Sequence, residues 1–281
     1  MKKILQIGSF SLSIFSVHFD KTEDIMIFII AGTEDGRKLA GFLLKNNLQV
    51  TASVVSEYGK SLLEQYEGIK INDKKLEEVE IYNLLTIEKF SVLVDASHPY
   101  AVNVSKNAMA ACHKVNIPYI RYERESLPLN YDKLFHVDDY DNAAKKAAEF
   151  GKNIFLTTGS RNLKIFVESP ALKDCNIIAR VLPTSEVLSL CEKLGLSPKN
   201  IVAMQGRFST ELNIELFKHY KADVIVTKDS GEIGGVDTKL EAAKILNLPV
   251  ILIDRPKINY DKIFYNFDDV LLFCKISESL N

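Results

Sequence analysis

The feature that most restricts this fold is a series of short, almost wholly apolar runs, each followed by a stretch of helical periodicity. In the first half these runs span 26–31, 49–55, 91–96 and 118–121. In the second they span 153–157, 177–181, 201–204, 224–227 and 250–253. A strand with one face in water alternates apolar and polar residues, whereas a strand apolar throughout is covered on both faces. Segments 37–45, 103–115, 185–194, 209–220 and 239–246 carry apolar residues three and four apart, the spacing of one helix face. Fully apolar strands alternating with such helices predict an α/β fold, two doubly wound parallel sheets in succession.

At 281 residues the chain has room for about two domains. The pattern divides it into an extension over 1–25, a first domain over 26–125, a connection over 126–152, a second domain over 153–256 and a C-terminal segment over 257–281. The net charge of −2 gives no reason to expect nucleic acid or an anionic membrane as partner. Four cysteines without C-x-x-C spacing fit a reducing cytoplasm better than a zinc site or a disulfide framework. Lys2-Lys3 before a mildly apolar run imitates a secretion signal, but Gln6 and several serines interrupt it and no A-x-A site follows. The extension reads as dispensable, with a strong strand starting at Met26. No apolar run reaches the roughly 18 residues of a membrane span.

Ligands of doubly wound sheets gather at the carboxyl ends of strands, so those tips carry the functional reading. AGTEDGR (31–37) places Gly32, Thr33, Gly36 and Arg37 between a strand and a helix, where glycines admit a phosphate and the helix start offers free N–H groups. The spacing G-x-x-x-G is shorter than the full dinucleotide fingerprint, and a tight turn is the structural alternative. Glu57, beyond the next strand, suits a ribose hydroxyl if the nucleotide lies in this half. DASHPYA (95–101) sets His98 and Tyr100 on a turn stiffened by proline, with Ser105 and Asn107 nearby; His98 either relays a proton or packs the loop.

LTTGSRNL (156–163) repeats the strand, glycine turn and helix start with Thr158, Gly159, Ser160 and Arg161. The following strand ends in Arg180, where a cation accepts the 2′-phosphate of NADP if this half holds the nucleotide. MQGRFSTELN (204–213) offers Gln205 and Arg207, with Ser209 as a helix cap. VTKDSGEIGGVDTKLEAA (226–243) places Lys228, Asp229 and Ser230 at a strand tip, then Gly234, Gly235 and Lys239. There Lys228 is either a cleft cation or a surface lysine laid along apolar neighbours. No nucleophile elbow, P-loop, H-E-x-x-H or paired-metal carboxylate cluster is present. Binding loops without a nucleophile or metal motif point to a cofactor that carries the chemistry.

These tips, with PYIRYER (118–124), RVLP (180–183) and PVILIDRP (249–256), stand in the order found in one family. The chain resembles the precorrin-6A reductases of cobalamin biosynthesis, including the cobalt-precorrin-6A reductases of the anaerobic route. The likeness runs from about residue 26 to 256. Arg207 departs from it, since the family more often has proline after that glycine, and the extension has no counterpart.

The resemblance implies two Rossmann-like domains with a cleft between them. It also implies a hydride delivered from NADH or NADPH to a ring double bond of a polycarboxylate tetrapyrrole, giving (cobalt-)precorrin-6B. Lys228, Asp229 and Ser230 are then the candidate catalytic residues. Gly32, Thr33, Gly36, Arg37, Thr158, Gly159, Ser160, Arg161 and Arg180 are candidates for the cofactor, with no resident metal. His98, Tyr100, Arg121, Gln205, Ser209, Gly234, Gly235 and Lys239 are candidates for the substrate. The expected setting is the cytoplasm, as a monomer or small homo-oligomer without nucleic acid or membrane. A nucleotide-dependent transferase or a non-catalytic nucleotide-sensing module would use the same tips without hydride chemistry.

Overall fold

The structure is a computed structural model and describes residues 25–124, 129–229 and 235–277. The strands are β1 Met26–Ile30, β2 Gln49–Ser53, β3 Lys70–Asn72, β4 Val92–Asp95, β5 Tyr119–Tyr122, β6 Leu134–Val137, β7 Asn153–Leu156, β8 Asn176–Val181, β9 Ile201–Ala203, β10 Val224–Lys228, β11 Val250–Ile253 and β12 Ile263–Phe264. The helices are α1 Glu34–Lys45, α2 Glu57–Leu63, α3 Glu78–Glu88, α4 Val102–Val115, α5 Tyr140–Ala147, α6 Leu163–Val167, α7 Ser185–Lys193, α8 Thr210–His219, α9 Val236–Ile245 and α10 Phe267–Ser277. They build two six-stranded sheets, ordered β12-β5-β4-β1-β2-β3 and β6-β11-β10-β7-β8-β9, in which every pairing is parallel.

Burial explains why these strands are apolar throughout. Successive strand side chains point to opposite faces. In β1, Ile27 and Ile29 join a core with Leu39 and Leu43 of α1, while Phe28 joins the opposite core with Ile81 of α3 and Cys112 of α4. In β10, Val224 and Val226 face α5 and α6, and Ile225 faces α8 and α9. Each such side chain stabilises the fold by about 1.5–3 kcal/mol. Helix α1 starts where the Thr33 hydroxyl accepts from Gly36 N at 2.9 Å, and Asn47 closes its end in the left-handed region at φ 63°.

The chain crosses between the sheets twice, and this departs from the sequence reading. The stretch taken as a connection supplies edge strand β6, paired with β11 through Leu134 and Val250. The C-terminal segment returns to the first domain: β12 pairs with β5, and Val270 and Cys274 of α10 are fully buried in the core around α1. Edge strands of two and four residues with partly exposed side chains leave no periodic signal. The start of the fold also shifts slightly. Ile25 is fully buried and its carbonyl accepts from Gln49 N at 3.0 Å, so the first domain includes this residue before Met26. The rest of the extension, 1–24, lies outside the described residues.

Candidate active site

The carboxyl ends of the two sheets meet. Glu34, after β1, pairs with Arg207, after β9, at 3.0 Å. Tyr100, after β4, packs on the core of the second domain and donates to the carbonyl of Ile253 in β11 at 2.5 Å. The Lys228 ammonium, at the end of β10, lies 5.2 Å from the centre of the Tyr100 ring. Tips read separately in the sequence are therefore walls of one cleft.

On the first-domain wall, Gly36 is held tightly. A Cβ there would sit 2.9 Å from both Ala31 Cα and the Ala96 carbonyl, so only glycine lets α1 approach the sheet this closely. Gly32 has open space on its Cβ side instead. Thr33 is occupied as the helix cap and as a donor to Ala96 O at 2.9 Å. The first turn of α1 carries Glu34 and Asp35, paired with Lys38 and Arg124. Arg37 is half-buried beside them.

The β4 tip rests on a buried network. Asp95 accepts from Arg121 Nη1 at 3.0 Å, Ser105 Oγ at 2.6 Å, the Tyr119 hydroxyl at 2.7 Å and Ser97 N at 2.9 Å. Burial alone would raise this carboxyl, but Arg121 and those hydroxyls bring it below its ordinary range. Arg121, expected to meet substrate, is wholly buried and serves as this internal counter-ion. Ser105 likewise faces inward. His98 accepts from Tyr100 N at Nδ1, which leaves its ring proton on Nε2. Burial first, then Lys228 and Arg161, lower its pKa to about 4, so the imidazole is neutral.

The second-domain wall is cationic. Arg180 is 6% exposed; it donates to Asn213 Oδ1 at 2.7 Å and lies 4.0 Å from the Phe208 ring centre. Burial lowers its pKa to about 10. Lys239 is 7% exposed, and burial, then Arg180 and Lys228, lower its pKa to about 7. Burial and then Arg161 lower Lys228 as well. Arg180, Gly206, Phe208, Thr238 and Lys239 line a cavity of about 200 Å³ with Gly159, whose φ is 76°. The buried hydroxyls Thr158 Oγ1 and Thr227 Oγ1 have no hydrogen-bond partner among the described residues.

Thus His98, Tyr100, Arg161, Arg180, Lys228 and Lys239 converge, although they come from both domains. Gln205 and Ser209 stay on the exposed β9 tip, where Ser209 caps α8 through Leu212 N. Ser160 follows Gly159 at the half-buried β7 tip, and Gly235 takes φ 65° as the cap of α9. Ser230 and Gly234 lie outside the described residues. Sequence reasoning did not reach Arg255, Glu123, Phe208 or Thr238. For Arg255 the available signal was its place just past a buried strand in PVILIDRP.

The family model described as precorrin-6x reductase CbiJ/CobK matches residues 26–275 of this chain. A cobalt-precorrin-6A reductase of Priestia megaterium is 42% identical over 247 residues, which cover 88% of this chain and 96% of that protein. Another, from Methanocaldococcus jannaschii, is 37% identical over 252 residues, covering 88% and 97%. The solved structure of a CobK precorrin-6A reductase matches with a TM-score of 0.74 at 24% identity, over 90% of this chain and 97% of that one; at that identity the likeness concerns the fold.

Proposed function

The chain belongs to the precorrin-6x reductase family, and from that premise we propose that it reduces a ring double bond of cobalt-precorrin-6A to give cobalt-precorrin-6B, with NADH or NADPH as hydride donor. The observation that carries the reading is the cleft's cationic wall. A buried Arg180 held only by an amide and a ring among the described residues is costly unless an anion completes it. A tetrapyrrole bearing many carboxylates supplies such anions; Lys239 stands beside Arg180, Lys228 beside Lys239, and Arg161 beside Lys228.

The backbone geometry of the β1 tip favours the nucleotide over the first domain. Gly32 leaves the backbone open, Gly36 brings the 12-residue α1 close to the sheet, and β1 sits where the strand order reverses. These features fit a dinucleotide, whose diphosphate is held chiefly by backbone N–H groups. On this reading the candidate cofactor residues Gly32, Thr33, Gly36 and Arg37 rank ahead of the second-domain set, and Arg180 goes to the substrate.

The reduced nicotinamide, when bound, supplies the hydride; the ring double bond takes up that hydride and one proton. Neutral His98 offers an Nε2–H donor to the substrate and holds no second proton to give at neutral pH. Lys228, made more acidic by burial and Arg161, is the ammonium placed to deliver the proton and to hold a carboxylate.

The experiment mixes the purified protein with the tetrapyrrole and NADH or NADPH and follows the nicotinamide absorbance band. Stoichiometric oxidation of nicotinamide with formation of a dihydro product is expected. Tight binding of both ligands without oxidation would overturn the reading in favour of a sensing module.

A further inference from the structure

A single chain of alternating charges runs along the strand tips from one sheet to the other. Asp95 on β4 pairs with Arg121 on β5; Arg121 Nε meets Glu123 Oε2 at 3.3 Å; Glu123 Oε1 accepts from Arg255 Nη1 at 2.7 Å; and Arg255 Nε meets Asp229 Oδ2 at 3.0 Å. Glu123, Asp229 and Arg255 have side chains only 13%, 18% and 16% exposed, so the last links are shielded from solvent.

Arg255 does more than join two domains. Its Nε also donates to the backbone carbonyl of Asp229 at 3.2 Å, and its Nη1 donates to the carbonyl of Arg124 at 3.0 Å. Asp229 N donates to Ile253 O at 3.0 Å, the carbonyl that Tyr100 also reaches. The residue after Lys228 is therefore held at its N–H, its carbonyl and its carboxylate. The Lys228 side chain leaves a backbone fixed on three sides, and its ammonium lies over the Tyr100 ring.

We propose that Arg255 is a positioning residue for turnover: its planar guanidinium clamps Asp229 and so aims the Lys228 ammonium into the cleft. This rests on the reading of Lys228 given above. It also assigns Asp229 a new part. Its carboxylate is committed to Arg255 and orients the tip rather than meeting substrate. Arginine is required because lysine lacks the planar fork that reaches Asp229 and Glu123 together.

The test is steady-state kinetics of the full chain with both substrates varied. Arg255→Gln is expected to lower kcat by about tenfold to a hundredfold, the scale of a misplaced reacting group. The KM for each substrate should stay within about threefold, because binding is not removed. Arg255→Lys should recover little of the loss. Adding Lys228→Met to Arg255→Gln should cost far less than Lys228→Met in the wild type, since both act through one ammonium. Loss of Arg255 leaves two carboxylates facing each other, so Arg255→Met with Glu123→Gln removes one charge of each sign and guards against a folding failure; it should show the same fall in kcat.

Additive losses, an unchanged kcat, or a defect confined to KM would overturn the role of Arg255 while leaving Lys228 in place. A Lys228→Met protein that matches wild type in both parameters would instead sink the underlying reading of the site.

Discussion

The Tyr100 hydroxyl and the Ile253 carbonyl are hydrogen-bonded at 2.5 Å although 153 residues separate them. One belongs to the first domain and the other to the second, so the relative placement of the two sheets is written into a side chain at the floor of the cleft. Tyr100→Phe keeps the ring beneath Lys228 and removes only the hydroxyl. A melting temperature lowered by the equivalent of about 1 kcal/mol is expected, with kcat nearly retained. Tyr100→Leu also removes the ring that faces Lys228 and should lower kcat further. Equal kinetics for the two variants would show that the ring does not act on Lys228.

Arg180 separates two placements of the cofactor. Arg180→Met keeps apolar volume in the cavity and deletes a buried charge. Tetrapyrrole affinity should fall by about 1.5–3 kcal/mol, the scale of a lost charged hydrogen bond. NADH and NADPH affinities, measured by titration calorimetry, should be equally unaffected. The variant without ligands should melt no lower than wild type, because an uncompensated buried cation opposes folding. A selective loss of NADPH binding would return the 2′-phosphate, and the nucleotide with it, to the second domain.

The sheets were legible because burial on both faces forces continuous apolar runs, and runs such as VLVD and VILI appear almost unchanged as β4 and β11. Strands β6 and β12 were not, since edge pairing asks little of side-chain chemistry. The same limit applies to the site. Glycine turns and cations at strand ends mark where ligands gather, so Lys228, Arg180 and His98 were visible. Which cation faces inward is decided by register: Arg121 lies opposite Asp95 across β5 and β4, a pairing that no local pattern announces. Arg255 escaped for a related reason, because its partners lie on two distant segments, Glu123-Arg124 and Asp229.

Asp95 gives the acid limb of stability. Its folded pKa is held below the ordinary value, so its contribution is complete above the unfolded pKa of about 3.9 and is lost as pH falls through the folded value. Asp95→Asn leaves Arg121 buried without its anion and should cost about 3–5 kcal/mol at neutral pH. The melting-temperature gap between wild type and variant should narrow below about pH 4, where the unfolded chain's carboxyl takes up its proton while the folded one still resists it. A gap that stays constant to low pH would show that the pair contributes nothing through charge.

The boundary of the extension is testable to a single residue. A chain that begins with a methionine placed directly before Ile25 should match the full-length protein in melting temperature and turnover. Removing Ile25 as well deletes a fully buried side chain of the first-domain core and should cost about 1.5–3 kcal/mol. Equal stability of the two truncated chains would show that the core begins at Met26.

If the substrate occupies the Arg180 cavity as proposed, Lys239 is expected to make its binding a proton-linked event. Burial, then Arg180 and Lys228, lower its pKa to about 7, so near neutrality a fraction of the unliganded protein holds this amine uncharged. A carboxylate entering the Arg180 cavity stabilises the ammonium and raises that pKa, so a proton is taken up on binding. Affinity for the tetrapyrrole should therefore fall as pH rises through about 7, while nicotinamide affinity stays level. Calorimetry at pH 7.5 in buffers of different ionisation enthalpy reads the uptake directly, and Lys239→Met should abolish it. Proton-neutral binding by the wild type would remove Lys239 from contact with the substrate. Loss of uptake in Arg180→Met would also be informative, because deleting the neighbouring cation lets Lys239 hold its proton before any ligand arrives.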